Sequence, residues 1–270
     1  MKERQCSDTV YMTEVRHGFA AWMRRLVRAA GLLLVTSILA CVWFVGLPFT
    51  WKRPRARRGW RKTVFQAWSR SVLWVCGVRL EVVGAPTVGP TFLVANHLGY
   101  LDIMVIASCV DATFLSMAEL EHWPFFGTMA RQFDTVFIDR DRKRNIPEVN
   151  AELELALARS AAVVIFAEGR HTRGASVLPF RPSLLEPAAR GGHKVAWAVL
   201  HYATGTDDPP ASRAIPWVNE PLARQVLVML ALARIEARIE FGMERVAHTD
   251  RKELARALHA RVIESFEPLK

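Results

Sequence analysis

The chain has 270 residues, 51% of them hydrophobic, which is enough for one large domain or two small ones and excludes wholesale disorder. Its formal net charge of +10 points to a negatively charged partner: nucleic acid, an anionic membrane surface or a phosphorylated small molecule. The four cysteines (Cys6, Cys41, Cys76, Cys109) form no CxxC pair, which argues against a zinc site or a disulfide framework and fits a reducing compartment.

Residues 29–50, "AAGLLLVTSILACVWFVGLPFT", contain no charged side chain. As a helix they could cross a hydrocarbon core of ~30 Å. Arg24, Arg25 and Arg28 precede them, and Lys52, Arg53, Arg55, Arg57, Arg58, Arg61 and Lys62 follow. A simple span is positive mainly on its cytoplasmic side, so two basic flanks also suit a segment that re-enters or lies at the interface. Trp22, Trp43, Trp51, Trp60, Trp68 and Trp74 are placed where interfacial anchors belong. A buried core helix followed by a solvated charge run is the competing reading. A cleaved signal peptide fits poorly, because Glu3, Asp8 and Glu14 precede the run and no small-x-small site follows it. The expectation is that residues 1–78 attach the chain to anionic lipid at the cytoplasmic face of the inner membrane. The attachment would be monotopic or by a single N-terminal span, with residues 79–270 as the main domain.

Residues 63–80 repeat apolar side chains at helical spacing and predict an amphipathic helix that packs on the first or lies on the membrane. Short apolar runs at 80–84, 91–96, 112–117, 135–139, 162–167 and 194–200 predict strands. Helix-like stretches at 101–109, 121–133 and 145–160 lie between them. This alternation predicts an α/β domain with a mostly parallel sheet flanked by helices. Residues 234–242 place Ile235, Ala237, Ile239 and Phe241 opposite Glu236, Arg238 and Glu240, a half-exposed strand expected at a sheet edge. Residues 249–266 open on Thr249 and Asp250 and predict a capped amphipathic helix.

The stretch "VANHLGYLDIMV", 94–105, sets Asn96, His97 and Asp102 into an otherwise apolar run. In one continuous helix His97 and Asp102 would stand about 140° apart and could not touch. If they meet, His97 precedes the helix, at a turn that Gly99 permits, just beyond a strand's carboxyl end where open α/β sheets bind ligands. An imidazole held by a carboxylate is a general base. A core histidine beside a helix-capping Asp would give the same pattern, and these residues alone leave both readings open.

The Asn-His-x4-Asp pattern of Asn96, His97 and Asp102 resembles the first signature block of the glycerolipid acyltransferases, which include the 1-acylglycerol-3-phosphate acyltransferases. "WPFFG" (123–127), "VFIDR" (136–140) and "FAEG" (166–169) with "LPF" (178–180) follow in the order and spacing of that family's later elements. The resemblance runs from about Leu80 to the end, and it implies transfer of an acyl group from acyl-CoA or acyl carrier protein to a lysolipid hydroxyl. It implies no cofactor and no metal. His97 would take the hydroxyl proton and Asp102 would orient His97. Arg140 would hold the acceptor's phosphate, a role that suits a guanidinium. Asn96, Glu168, Gly169, Arg170 and Arg173 complete the expected substrate-binding set, with Glu168 pointing into the cleft.

The third block departs from the family's usual Glu-Gly-Thr-Arg-Ser, with Arg170 and His171 in place of Thr and Arg; Ser183 replaces a glycine. Lys194 and Trp197 stand near two expected prolines. These departures bear on the acceptor more than on the reaction. The acceptor is expected to be 1-acyl-sn-glycerol-3-phosphate, giving phosphatidic acid, with lyso-ornithine lipid or another lysophospholipid as alternative. A non-catalytic membrane-binding protein that keeps the fold is a further alternative. Nucleic acid is not the expected partner, because the basic residues cluster beside an apolar anchor rather than along a polar recognition helix.

Overall fold

The computed structural model describes residues 18–86, 89–117, 121–122, 126–138, 146–218 and 221–270. Helix α1 runs Phe19–Thr50, well beyond the uncharged stretch, because the preceding turns contain good helix formers and no breaker. Pro48 falls in its last turn, where the bond it denies the Phe44 carbonyl is one of the last of the helix. Helix α2, Pro54–Val75, begins on a proline in its first turn, a favoured position, and so absorbs the basic run as well as the predicted amphipathic stretch. The two helices approach closely at Gly46, where a β-carbon would collide with the Trp60 ring.

The remaining elements follow as β1 (Val78–Val83), β2 (Thr91–Ala95), α3 (Tyr100–Cys109), β3 (Ala112–Met117), α4 (Phe126–Gln132), β4 (Val136–Ile138), α5 (Ile146–Arg159) and β5 (Ala162–Phe166). Then come α6 (Pro182–Arg190), β6 (Ala196–Thr204), α7 (Ala211–Ala214), α8 (Leu222–Ala231), β7 (Ile235–Phe241) and α9 (Arg251–Ser265). The strands form one sheet in the order β1-β7-β6-β2-β5-β3-β4. Every neighbouring pair is parallel except β6 with β7. The sheet is therefore mostly parallel and flanked by helices, as the alternation predicts.

Strand β7 corrects one expectation. It is hydrogen-bonded to β1 on one side and β6 on the other, so it is interior to the sheet. Its alternating side chains report that one face is partly open, and face exposure says nothing about edge position. Asp250 accepts from the amides of Lys252 and Glu253 and caps α9 as expected.

Two buried clusters lie on opposite faces of the sheet. Leu93 and Ala95 of β2 point into one, with Phe65, Leu73, Leu101, Val105 and Val228. Phe92 and Val94 point into the other, with Leu153, Leu185, Leu254 and Leu258. The alternation along β2 is that of a strand covered on both faces. Helix α2 is thus part of the same core as the sheet, and it is locked there by Arg61. That guanidinium is 3% exposed and donates to Asp111 at 2.8 Å and to the Phe133 carbonyl at 3.3 Å.

Helix α1 lies outside this layer. At one end Arg24, Arg25 and Arg28 donate to the carbonyls of Ala231, Leu227, Leu230 and Leu232, at the end of α8 where a cation complements the helix dipole. Farther along, Trp43 donates to Gln132. The opposite face leaves Leu33, Leu34, Phe44, Val45 and Phe49 exposed, so α1 is not a buried core helix.

Candidate active site

The site lies beyond the carboxyl ends of β2 and β5, where their connections diverge. Residues 96–99 leave β2 in non-helical conformation, and α3 starts at Tyr100. Asp102 sits in the first turn of α3, and its carboxylate reaches back to the amides of Leu98 and Gly99 at 2.6 and 2.9 Å. This is the acidic half of a capping box. The same oxygen, Oδ2, lies 2.7 Å from Nδ1 of His97. His97 and Asp102 therefore meet because the histidine precedes the helix.

Asp102 is fully buried, and its other oxygen accepts from the Tyr202 hydroxyl at 2.8 Å. Burial, together with the negative charge of Asp102, pushes the Tyr202 phenol well above its ordinary range, so it stays a donor. With Nδ1–H donating to the carboxylate, Nε2 of His97 carries the lone pair, the tautomer a general base requires. The imidazole is also stacked on Phe166, with ring centroids 3.8 Å apart and planes at 8°. Gly99 is extended, and a β-carbon there would press on the Ile215 carbonyl at 3.2 Å, so the close approach of the 215–217 loop favours glycine.

The other predicted residues divide by what their polar atoms touch. Asn96 is buried and exchanges both amide groups with the backbone of Leu200 on β6, at 2.9 and 2.7 Å, continuing the β2–β6 ladder beyond the last β2 residue. Glu168 is buried too, and does not point freely into the cleft. Its oxygens accept from the amides of His97 and Leu178, each at 2.8 Å, tying together the two loops that flank the histidine. Burial pushes its carboxyl up to about 7, against the pull of those amides. Gly169 has φ +72, which favours glycine, and a β-carbon would also push aside the end of the Arg181 side chain, 2.8 Å away.

Arg170 borders an open cleft of about 810 Å³ together with His171, Thr172, Trp217 and Pro221. Arg173 is exposed on the same loop. Arg140 and the basic run 142–144 lie outside the described residues, as do Trp123 and Pro124 of the "WPFFG" element. Trp197 packs in the core, covering Gly242.

Sequence reasoning did not find Tyr202, Phe166, His171 or Trp217 as parts of the site. Register brings the first to Asp102: Ala95 pairs with Ala198, so Tyr202 stands level with Gly99. His171 lies 4.1 Å from the His97 ring and 5.0 Å from Trp217. Burial and the neighbouring His97 lower its pKa to about 3, so it is neutral at physiological pH.

Residues 79–199 match the family model described as Acyltransferase. The chain is 28% identical to a lyso-ornithine lipid O-acyltransferase from Brucella abortus, over 86% of this chain and 92% of that protein. It is 29% identical to a 1-acyl-sn-glycerol-3-phosphate acyltransferase from Neisseria meningitidis, over 64% of this chain and 68% of that protein. Its fold is that of the 1-acyl-sn-glycerophosphate (LPA) acyltransferase PlsC from Thermotoga maritima. The TM-score is 0.60 and the identity 20%, over 89% of this chain and 97% of that one. Residues 79–199 thus match the acyltransferase family, and the chain is similar over most of its length to proteins named as lysolipid O-acyltransferases.

Proposed function

We propose that the protein transfers a fatty acyl group from acyl-CoA or acyl carrier protein to the free hydroxyl of a lysolipid, with His97 as general base and Asp102 as its orienting carboxylate. The observation that carries this reading is the 2.7 Å contact of His97 Nδ1 with a buried carboxylate, next to His171 on the wall of an open cleft. As the acceptor hydroxyl attacks the thioester, Nε2 takes its proton, and Asp102 stabilises the imidazolium that forms. Collapse of the tetrahedral adduct expels the thiolate, which takes that proton back.

For the acceptor, 1-acyl-sn-glycerol-3-phosphate suits the guanidinium groups of Arg170, Arg173 and Arg140, and the product would be phosphatidic acid. Lyso-ornithine lipid is the second reading. It is favoured by relatives of that name, which match 92% and 85% of their own lengths. Purified full-length protein given acyl-CoA with each acceptor separately tests the choice, with products weighed by mass spectrometry. Phosphatidic acid alone supports the first reading, and diacylated ornithine lipid alone replaces it with the second.

Residues 1–78 serve as the membrane-anchoring part in this proposal, and α1 lies along the membrane surface. Arg24 and Trp43 are both held by the globular domain. They are separated by about 28 Å of helix, nearly the thickness of a hydrocarbon core. A helix fastened to the domain over that length presents one side to lipid and cannot cross alone. Its exposed Leu33, Leu34, Phe44 and Phe49 supply that side, and the basic residues of α2 supply attraction to anionic headgroups on the cytoplasmic face.

A further inference from the structure

The reaction proposed above develops negative charge on the thioester oxygen as well as a proton on His97, and only the second has so far been given a partner. We infer that His171 is a further catalytic residue, whose imidazole N–H donates a hydrogen bond to the thioester oxygen as the acceptor hydroxyl adds to the carbonyl. The inference rests on the acyl-transfer reading of the cleft.

Three observations carry it. The His171 ring lies 4.1 Å from the His97 ring, inclined at 45°, and it borders the open cleft itself. A donor on this ring and the base on the other can therefore reach one small reacting centre. The contacts of His171 are with rings: His97, Tyr100 and Trp217. Neither of its ring nitrogens has a hydrogen-bond partner among the described residues, so an N–H on the cleft wall is available to a ligand that enters.

The loop that bears it is fixed on both sides. The Gly169 amide donates to the Phe166 carbonyl at 3.0 Å, and the Thr172 amide donates to the His97 carbonyl at 3.2 Å. A donor held in place before the charge appears is what oxyanion stabilisation requires. The neutrality of His171 suits the part. It keeps its N–H without becoming a second cation beside the imidazolium of His97. Arg170 also borders the cleft, but it is exposed, so water screens its charge.

The step balances as follows. The acceptor oxygen bonds to the carbonyl carbon while its proton passes to Nε2 of His97. The carbonyl π pair moves onto oxygen, which accepts the His171 N–H bond without taking the proton. When the pair returns, the carbon–sulfur bond breaks, the thiolate receives the proton from His97, and an ester and a thiol leave.

The test compares kcat and KM of full-length wild type, His97→Ala, His171→Phe and His171→Gln, with palmitoyl-CoA as donor. Lysophosphatidic acid and lyso-ornithine lipid are each supplied as acceptor in mixed micelles. Phe keeps an aromatic ring against His97 and Trp217 but has no donor; Gln lacks the ring and offers an amide N–H. His171→Phe is expected to lose roughly 100- to 1,000-fold in kcat, the usual effect of deleting one oxyanion donor, with little change in either KM. His171→Gln is expected to recover most of that loss. Should the Phe protein not fold, His171→Met replaces it, since Met and Gln are close in shape and differ in the donor.

Turnover by His171→Phe near the wild-type rate would overturn the donor role, and so would equal losses in the Phe and Gln proteins. Either result leaves acyl transfer standing if His97→Ala is inactive. Undiminished turnover by His97→Ala would overturn the acyl-transfer reading itself, and the His171 proposal with it.

Discussion

Replacing Asp102 with Asn separates the charge of the site from its geometry. The buried carboxylate accepts on Oδ2 from His97 Nδ1, Leu98 N and Gly99 N, and on Oδ1 from Tyr202. An asparagine with its carbonyl oxygen in the Oδ2 position keeps the first three bonds. The Tyr202 hydroxyl can turn to accept from the new amide group, since a phenol both donates and accepts. The orientation and tautomer of His97 survive, and the negative charge is lost. With the charge centres about 4 Å apart and an effective dielectric near 20, their attraction is about 4 kcal/mol. That corresponds to roughly a thousandfold in rate.

Asp102→Asn should therefore lose about 100- to 10,000-fold in kcat with little change in KM. Its folding stability should fall by only about 1–2 kcal/mol. Asp102→Ala should behave differently. It strands four buried donors, each worth about 1–3 kcal/mol, and a loss of that size threatens the fold itself. Steady-state acyl transfer and thermal unfolding of both variants decide the matter. Asn with wild-type turnover would refute the electrostatic argument, and Asn as unstable as Ala would refute the hydrogen-bond accounting.

Three more predictions bear on the frame around the site. Glu168 has its carboxyl raised from 4.5 to about 7, so the folded state favours its protonated form, and this contribution to stability is lost as pH rises through that window. The shift corresponds to about 3 kcal/mol. Unfolding of wild type and Glu168→Gln across pH 4 to 8 should show wild type losing stability relative to the variant as pH rises, and parallel curves would refute the assignment. Arg61→Met leaves buried Asp111 with only the half-exposed Arg58 at 3.5 Å and should destabilise by up to about 3–5 kcal/mol in denaturant titration; a loss below about 1 kcal/mol would mean that surface pairs set the scale. Changing Leu33, Leu34, Phe44 and Val45 together to Gln should abolish sedimentation with anionic vesicles while leaving the unfolding midpoint nearly unchanged, because these side chains are exposed. Retained sedimentation would place the membrane-binding surface elsewhere.

The parts of this arrangement that were legible in the sequence are those encoded locally. His97 and Asp102 lie five residues apart, and helix geometry alone requires the histidine to precede the helix if they are to meet. The strands read from apolar runs appear close to their expected positions, because buried strands in a parallel sheet are nearly continuous hydrophobic segments. What the sequence hid depends on register and distant chain. Tyr202 reaches Asp102 through the pairing of β6 with β2, and Trp217 arrives on a loop after α7. Glu168 looked like a cleft residue because it follows a strand, but two amides claim its oxygens. The interior place of β7 was hidden for a similar reason, since alternation along one strand does not reveal its neighbours. Helix α8 could have been anticipated from the apolar spacing of Leu222, Val226, Met229 and Leu230.

The central claim is that His97, held by Asp102, activates an acceptor hydroxyl. Its most direct test is transfer of a labelled acyl group from acyl-CoA to lysolipid by detergent-solubilised full-length protein. Wild type and His97→Ala are compared after their unfolding curves have been matched. The account predicts labelled diacyl product from wild type and a rate lower by about 100-fold or more in the folded variant. Equal rates from the two proteins would contradict it.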